Sequence, residues 1–204
     1  MERINNQFDR LFDIIPGAIF GLLSVGIGVL CDFISFLFIP DYNIFNNLAS
    51  ELGLGPGGIY FRVGLIISGI IAVPFDIYLG RALRKERVND KTVNFAVAIS
   101  IISCLSMSLT GVFPMIKTQR LIFIIHGIFA GISWIGGLLY SVLFGYLMLK
   151  DENFSNNLAY LSFIEAGLFL LVFIIFLPFT EWFMIFGIIL STTIVASYML
   201  YKKL

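Results

Sequence analysis

Six long apolar stretches lie between Pro16 and Tyr201, each close to the ~20 residues a helix needs to cross a ~30 Å hydrocarbon core. No water is available in lipid to bond a backbone amide, so consecutive spans of this length must satisfy their hydrogen bonds internally, as helices. The chain therefore reads as an all-α integral membrane protein, a single transmembrane domain built as a six-helix bundle. Composition agrees: 59% of the 204 residues are hydrophobic and 13% charged, more apolar surface than a water-soluble domain of this size can hide. The formal net charge of zero gives no bulk attraction for a nucleic-acid partner.

The spans read as Pro16–Ile39, Ile59–Gly80, Thr92–Phe113, Leu121–Leu149, Asn157–Leu177 and Trp182–Tyr201. Orientation follows from the basic residues. Arg81, Arg84, Lys85, Arg87 and Lys91 crowd one connection, and Arg3, Arg10, Lys150, Lys202 and Lys203 fall on the same side. The opposite side keeps only Lys117, Arg120 and Arg62, so the positive-inside rule expects both termini in the cytoplasm and a multi-pass protein of the cell membrane. The first sixteen residues lack a short apolar core followed by a small-residue cleavage site, so the first span is expected to stay as a signal anchor.

The longest outer connection, Pro40 to Gly58, carries Ile44, Phe45, Leu48 and Leu52 at helical spacing, which predicts a short extracytoplasmic amphipathic helix between the first two spans. Gly53, Gly55 and Gly58 match GxGxxG, but no strand precedes them and Pro56 interrupts them, so a dinucleotide fingerprint is rejected. These glycines are expected to break one helix and turn the chain into the next. The outermost hairpin, at Pro178–Glu181, places Trp182 at the membrane interface.

Ionisable residues inside spans are costly and call for an explanation. At ~1.5 Å of rise per residue, Asp32 lies roughly 10 Å below the outer end of the first span, Arg62 about 5 Å below that of the second, and His126 about 8 Å below that of the fourth. Ser50 and Glu51 sit in the connection above them. The group is expected either to tie three helices together by ion pairing or to form an outward-facing polar pocket for a lipid headgroup or other amphiphile. Asp76, after Pro74, is expected to reach the interface or pair with Arg81 or Arg84. Glu165, in the middle of the fifth span, can be held protonated, by a serine of a neighbouring helix, or against a water-filled cavity, and is the candidate intramembrane proton site.

Gly17–Gly21 and Gly127–Gly131 are GxxxG pairs, with Gly136 and Gly137 extending the second, and are expected to let helix backbones approach closely; such faces also suit a homo-oligomer. Cys31 and Cys104 stand apart and read as small buried side chains. One histidine excludes a multi-histidine zinc centre, so neither metal nor cofactor is expected. HExxH, GxSxG and Walker motifs are absent, and a Ser50–His126 couple with Glu51 or Asp32 is the one conceivable hydrolytic constellation.

The segments ASELG at Ala49–Gly53, Pro56, IYFRVGLIISG at Ile59–Gly69, LTGVFP at Leu109–Pro114, and His126 followed by an Ala-Gly pair resemble a small archaeal and bacterial six-helix membrane family labelled a domain of unknown function. That family is similar to the eukaryotic Frag/DRAM/Sfk membrane proteins. In its pattern a polar residue, often asparagine, follows the phenylalanine that opens the second span; this chain has Arg62 there. The resemblance implies a lipid-related role. The leading expectation is thus a protein that binds or organises membrane lipid at a pocket of Asp32, Ser50, Glu51, Arg62 and His126. The alternatives are an enzyme remodelling lipids or lipid anchors with His126 as general base, and a proton-coupled transporter using Glu165.

Overall fold

The computed structural model describes residues 2–84 and 89–204. Lys85 and Arg87 of the basic connection lie outside the described residues, as does the side chain of Arg3. Six helices are long and apolar enough to cross a membrane: α2 (Gly17–Leu37), α3 (Gly58–Ala82), α4 (Asp90–Val112), α5 (Arg120–Lys150), α6 (Asn156–Ile174) and α7 (Pro178–Lys202). Each packs on its neighbour in chain order, and α7 returns to pack on α2. The result is a closed up-and-down ring. Large apolar side chains such as Phe33, Leu37, Ile70, Ile164 and Leu190 stay exposed on its outside, the arrangement a lipid solvent requires.

A short helix, α1 (Glu2–Ile14), precedes the ring and was not expected from the sequence. It docks by Phe12, whose ring meets Tyr78 at 5.0 Å and carries the Arg81 guanidinium 5.2 Å above its centre. Arg81 also pairs with Asp9 at 2.6 Å. Phe8, Leu11, Phe12 and Ile15, spaced at three and four residues, are the amphipathic signal.

The two ends of the ring are built differently. At the end bearing the chain termini, every span contributes a buried apolar side chain, among them Leu83, Val93, Phe144, Leu147, Leu158 and Met199. Gly17 and Gly21 make this closeness possible on α2, since a Cβ there would lie 2.2 Å from Tyr78 and 2.8 Å from Phe75.

At the opposite end the chain between α2 and α3 folds back over the ring. Its only regular element is a 3-10 helix, Ala49–Leu54, rather than the amphipathic helix running from Ile44. Asn43 stops that helix earlier: its Oδ1 accepts the Phe45 amide at 2.8 Å, an Asx turn that competes with helical hydrogen bonding. The glycines here serve space rather than turning. None has a positive φ, and a Cβ on Gly57 or Gly58 would fall 2.6 Å from Phe38 or 2.4 Å from the Gly53 carbonyl. Ser35 then fastens α2 to the start of α3, donating to the Gly57 carbonyl at 2.9 Å and accepting the Phe61 amide at 2.7 Å, one of the four amides an α-helix start leaves without a partner.

Candidate functional site

Between the plugged end and the folded-back segment, the ring encloses a cavity of about 690 Å³ to which all six spans contribute. It exists because the facing positions are small: Gly28, Ser68, Ala72, Gly127, Ala130 and Gly131 leave room where the plug has Leu, Phe and Met. Gly127 and Gly131 therefore correct their sequence reading. A Cβ on either would meet nothing within 4 Å, so this GxxxG pair opens the cavity and brings no helix close. Gly136 and Gly137 do form contacts, with Ser103 and Phe169 at 2.8 and 2.2 Å from their would-be Cβ atoms.

Asp32, Ser50 and His126 line this cavity; Arg62 and Glu51 do not. The position of Arg62 has a clear cause. Its Nε donates to the Gly111 carbonyl at 3.1 Å, on the last turn of α4, where helical carbonyls lack intrahelical partners. His126 serves the same helix end, its Nδ1 lying 2.7 Å from the carbonyl of Phe113. A carbonyl can only accept, so the proton resides on Nδ1, and in the neutral ring Nε2 keeps the lone pair. Both basic groups thus close the end of α4, and no ion pair joins Arg62 to Asp32 among the described residues. Asp32 lines the cavity with no hydrogen-bond partner among those residues.

Ser50 donates to the sulfur of Met115 at 3.4 Å and makes no bond to His126, so the Ser50–His126 couple is not assembled. Glu51 turns outward, accepting from Asn47 Nδ2 at 3.0 Å and facing Lys117 Nζ at 3.5 Å.

Deeper in the ring, Asp76 is buried against the Cys104 thiol, which donates to it at 3.3 Å. The expected pairing with Arg81 or Arg84 does not occur. Arg81 lies about 140° around the helix from Asp76 at ~100° per residue, and it engages Asp9. Glu165 is buried among the hydroxyls of Tyr140, Ser141 and Ser191. Asp76 and Glu165 together border a small second cavity of about 40 Å³, and Asp76 and Tyr140 also belong to the wall of the large one.

Glu181 was not singled out in the sequence. One Oε2 accepts the Ala49 amide at 2.9 Å, clamping the first turn of α7 to the 3-10 helix above the cavity, whose wall it shares. Beside it Trp182, buried within the protein, donates to the Tyr42 hydroxyl at 3.0 Å, which in turn donates to the Leu48 carbonyl at 2.8 Å. Burial pushes the Tyr42 phenol up, reinforced by the Glu181 and Glu51 carboxylates, so it stays a neutral donor. Nothing in the sequence neighbourhood of Glu181 announces this role, because its partner lies 132 positions away.

Among the described residues, no three His, Cys, Asp or Glu side chains are gathered as metal ligands would be. The family model for the protein of unknown function DUF998 matches residues 22–201, from within the first span to the end of the last. No curated protein and no solved structure matches the chain.

Proposed function

The chain belongs to the DUF998 family, a polytopic membrane family of unknown function, and on that footing we propose that it binds an apolar or amphiphilic molecule, a membrane lipid in the first instance, in the cavity inside its helix ring. The observation that carries this reading is the cavity itself. At about 690 Å³ it falls within the usual size range of small-molecule sites, its wall is mostly apolar and aromatic, and a few polar groups converge on it. The resemblance to lipid-associated membrane proteins supports the same class of ligand. On this reading the folded-back segment faces outside the cell and the cavity lies in the outer half of the membrane, the orientation that the positive-inside pattern favours.

Gly127→Phe tests the reading, because the new ring enters open space instead of a packed contact. Native mass spectrometry of the wild type from mild detergent is expected to show a bound lipid, and the variant to retain about tenfold less at unchanged thermal stability. Equal retention by the two, or none in either, removes the proposal.

One observation favours a second reading, proton-coupled transport: Asp76 links the large cavity to the small one containing Glu165. In reconstituted vesicles that reading expects pH-driven flux that Glu165→Gln abolishes. Undiminished flux in the variant excludes it.

A further inference from the structure

The donors and acceptors on the cavity wall are unevenly distributed. Ser24 donates its hydroxyl proton to the Ser68 carbonyl at 2.8 Å, Ser68 to the Gly64 carbonyl at 2.6 Å, and Ser103 to the Ser133 carbonyl at 2.7 Å. Thr110 donates to the Ser106 carbonyl at 2.9 Å and Ser50 to the Met115 sulfur. A hydroxyl has one proton and two lone pairs, so each of these groups shows the cavity acceptors only. Among the ionisable side chains, His126 lines the wall with its Nδ1 engaged by the Phe113 carbonyl, so that its Nε2 is a further acceptor in the neutral ring, and the others are carboxyl groups. Asp32, Asp76 and Glu181 line the wall, and no arginine or lysine does. Arg62 is directed to the end of α4 and Lys117 to Glu51.

Of the three carboxyl groups, Glu181 takes a backbone amide and Asp76 a thiol, whereas Asp32 has no partner among the described residues. An anionic group placed here would find donors in Ser133, Thr192 and the Trp134 indole, but three carboxyl groups and no arginine or lysine to balance its charge, a costly arrangement in low dielectric. A cation would find the reverse: a carboxylate to pair with and aromatic residues such as Phe61, Phe75, Phe123 and Trp134 on the same wall.

We infer that the cavity takes the positively charged head of an amphiphile, a primary or quaternary ammonium group on an apolar chain, with Asp32 as its counter-ion and the aromatic wall holding the chain. The inference rests on the amphiphile-binding reading above and adds the sign of the ligand's charge. It also leaves Arg62, which the sequence places in the pocket, without a part in it.

Trp134 lies on the cavity wall and Trp182 does not, so in a Trp182→Phe chain the one remaining indole is that of the cavity wall. Three probes of one chain length, bromododecylammonium, bromododecanoate and bromododecanol, are titrated into this protein in zwitterionic nanodiscs at neutral pH, with membrane partitioning of each measured separately. At equal membrane concentration, the ammonium probe is expected to quench Trp134 at least tenfold more effectively than the carboxylate. Asp32→Asn, which removes no hydrogen bond among the described residues, is expected to shrink that preference severalfold while dodecanol quenching persists. Brominated lysophosphatidylcholine separates two sources of the same head chemistry. Quenching by it makes the occupant a choline lipid, and quenching by the alkylammonium alone makes it a free hydrophobic cation.

A carboxylate that quenches as well as or better than the ammonium overturns the inference, most directly if Arg62→Ala then weakens it. A preference that survives Asp32→Asn unchanged overturns the role of Asp32. Quenching by dodecanol without charge preference sinks the charge inference and leaves amphiphile binding standing. No quenching by any probe sinks both.

Discussion

The terminal end and the opposite half of the same helix ring solve one packing problem in opposite ways. At the terminal end, Leu147, Val93, Ala96, Ala159 and Ala196 are fully buried, and the remaining space is filled by Phe144, Met148 and Met199. Some turns further along the same helices, α5 changes from Phe144, Leu147 and Met148 to Gly127, Ala130 and Gly131, α3 from Phe75 and Leu79 to Ser68 and Ala72, and the space stays open. Lipid is as apolar as leucine, so a membrane bundle gains little from hiding hydrophobic side chains and coheres through close packing. A bundle that leaves half its axis unpacked must be held by something else. Here that is the plug below, the serine-to-carbonyl bonds along α2–α3 and α4–α5, and the clamp of Glu181 on the segment above.

Substitutions at matched positions test this contrast. The largest effect is expected from Leu147→Ala in the plug, where a fully enclosed side chain leaves a void: a loss of about 3 kcal/mol in a reversible denaturant titration in detergent. A loss below 1 kcal/mol would mean the plug is not what holds the ring. Glu181→Ala follows, at about 2 kcal/mol, because the buried Ala49 amide loses its acceptor. Hydrogen exchange should quicken across residues 42–54 and stay unchanged in the plug, and uniform acceleration would deny a local clamp.

The sharpest comparison uses one chemical change twice. Gly80→Ala sets a methyl 2.2 Å from Val97 and is expected to cost about 1–2 kcal/mol. Gly127→Ala sets it in open space and is expected to stabilise by about 0.5–1 kcal/mol through helix propensity. Equal signs in the two melting shifts would break the contrast.

Much of this architecture is legible in the sequence, because lipid leaves a long apolar run only one structure. The six spans, their approximate ends, and the inward placement of Asp32, His126 and Glu165 follow from that constraint alone. What the sequence hides is which groups face one another. Arg62 and His126 stand at the depth of Asp32 and invite an ion-paired reading. Their actual partners are the Gly111 and Phe113 carbonyls, backbone groups that no residue pattern advertises. The Gly127–Gly131 pair reads like a contact motif and borders a void, since spacing fixes a helix face but not what lies opposite it. The N-terminal helix is hidden for a different reason: its apolar face is short and set among charged residues.

The ring closes where α7 meets α2, a joint between spans that lie far apart in the chain. α7 follows the other five spans in the chain, so the ring closes, and its cavity gains its sixth wall, only once α7 is packed against α2. Any loosening of that seam opens the interior sideways, toward whatever surrounds the bundle.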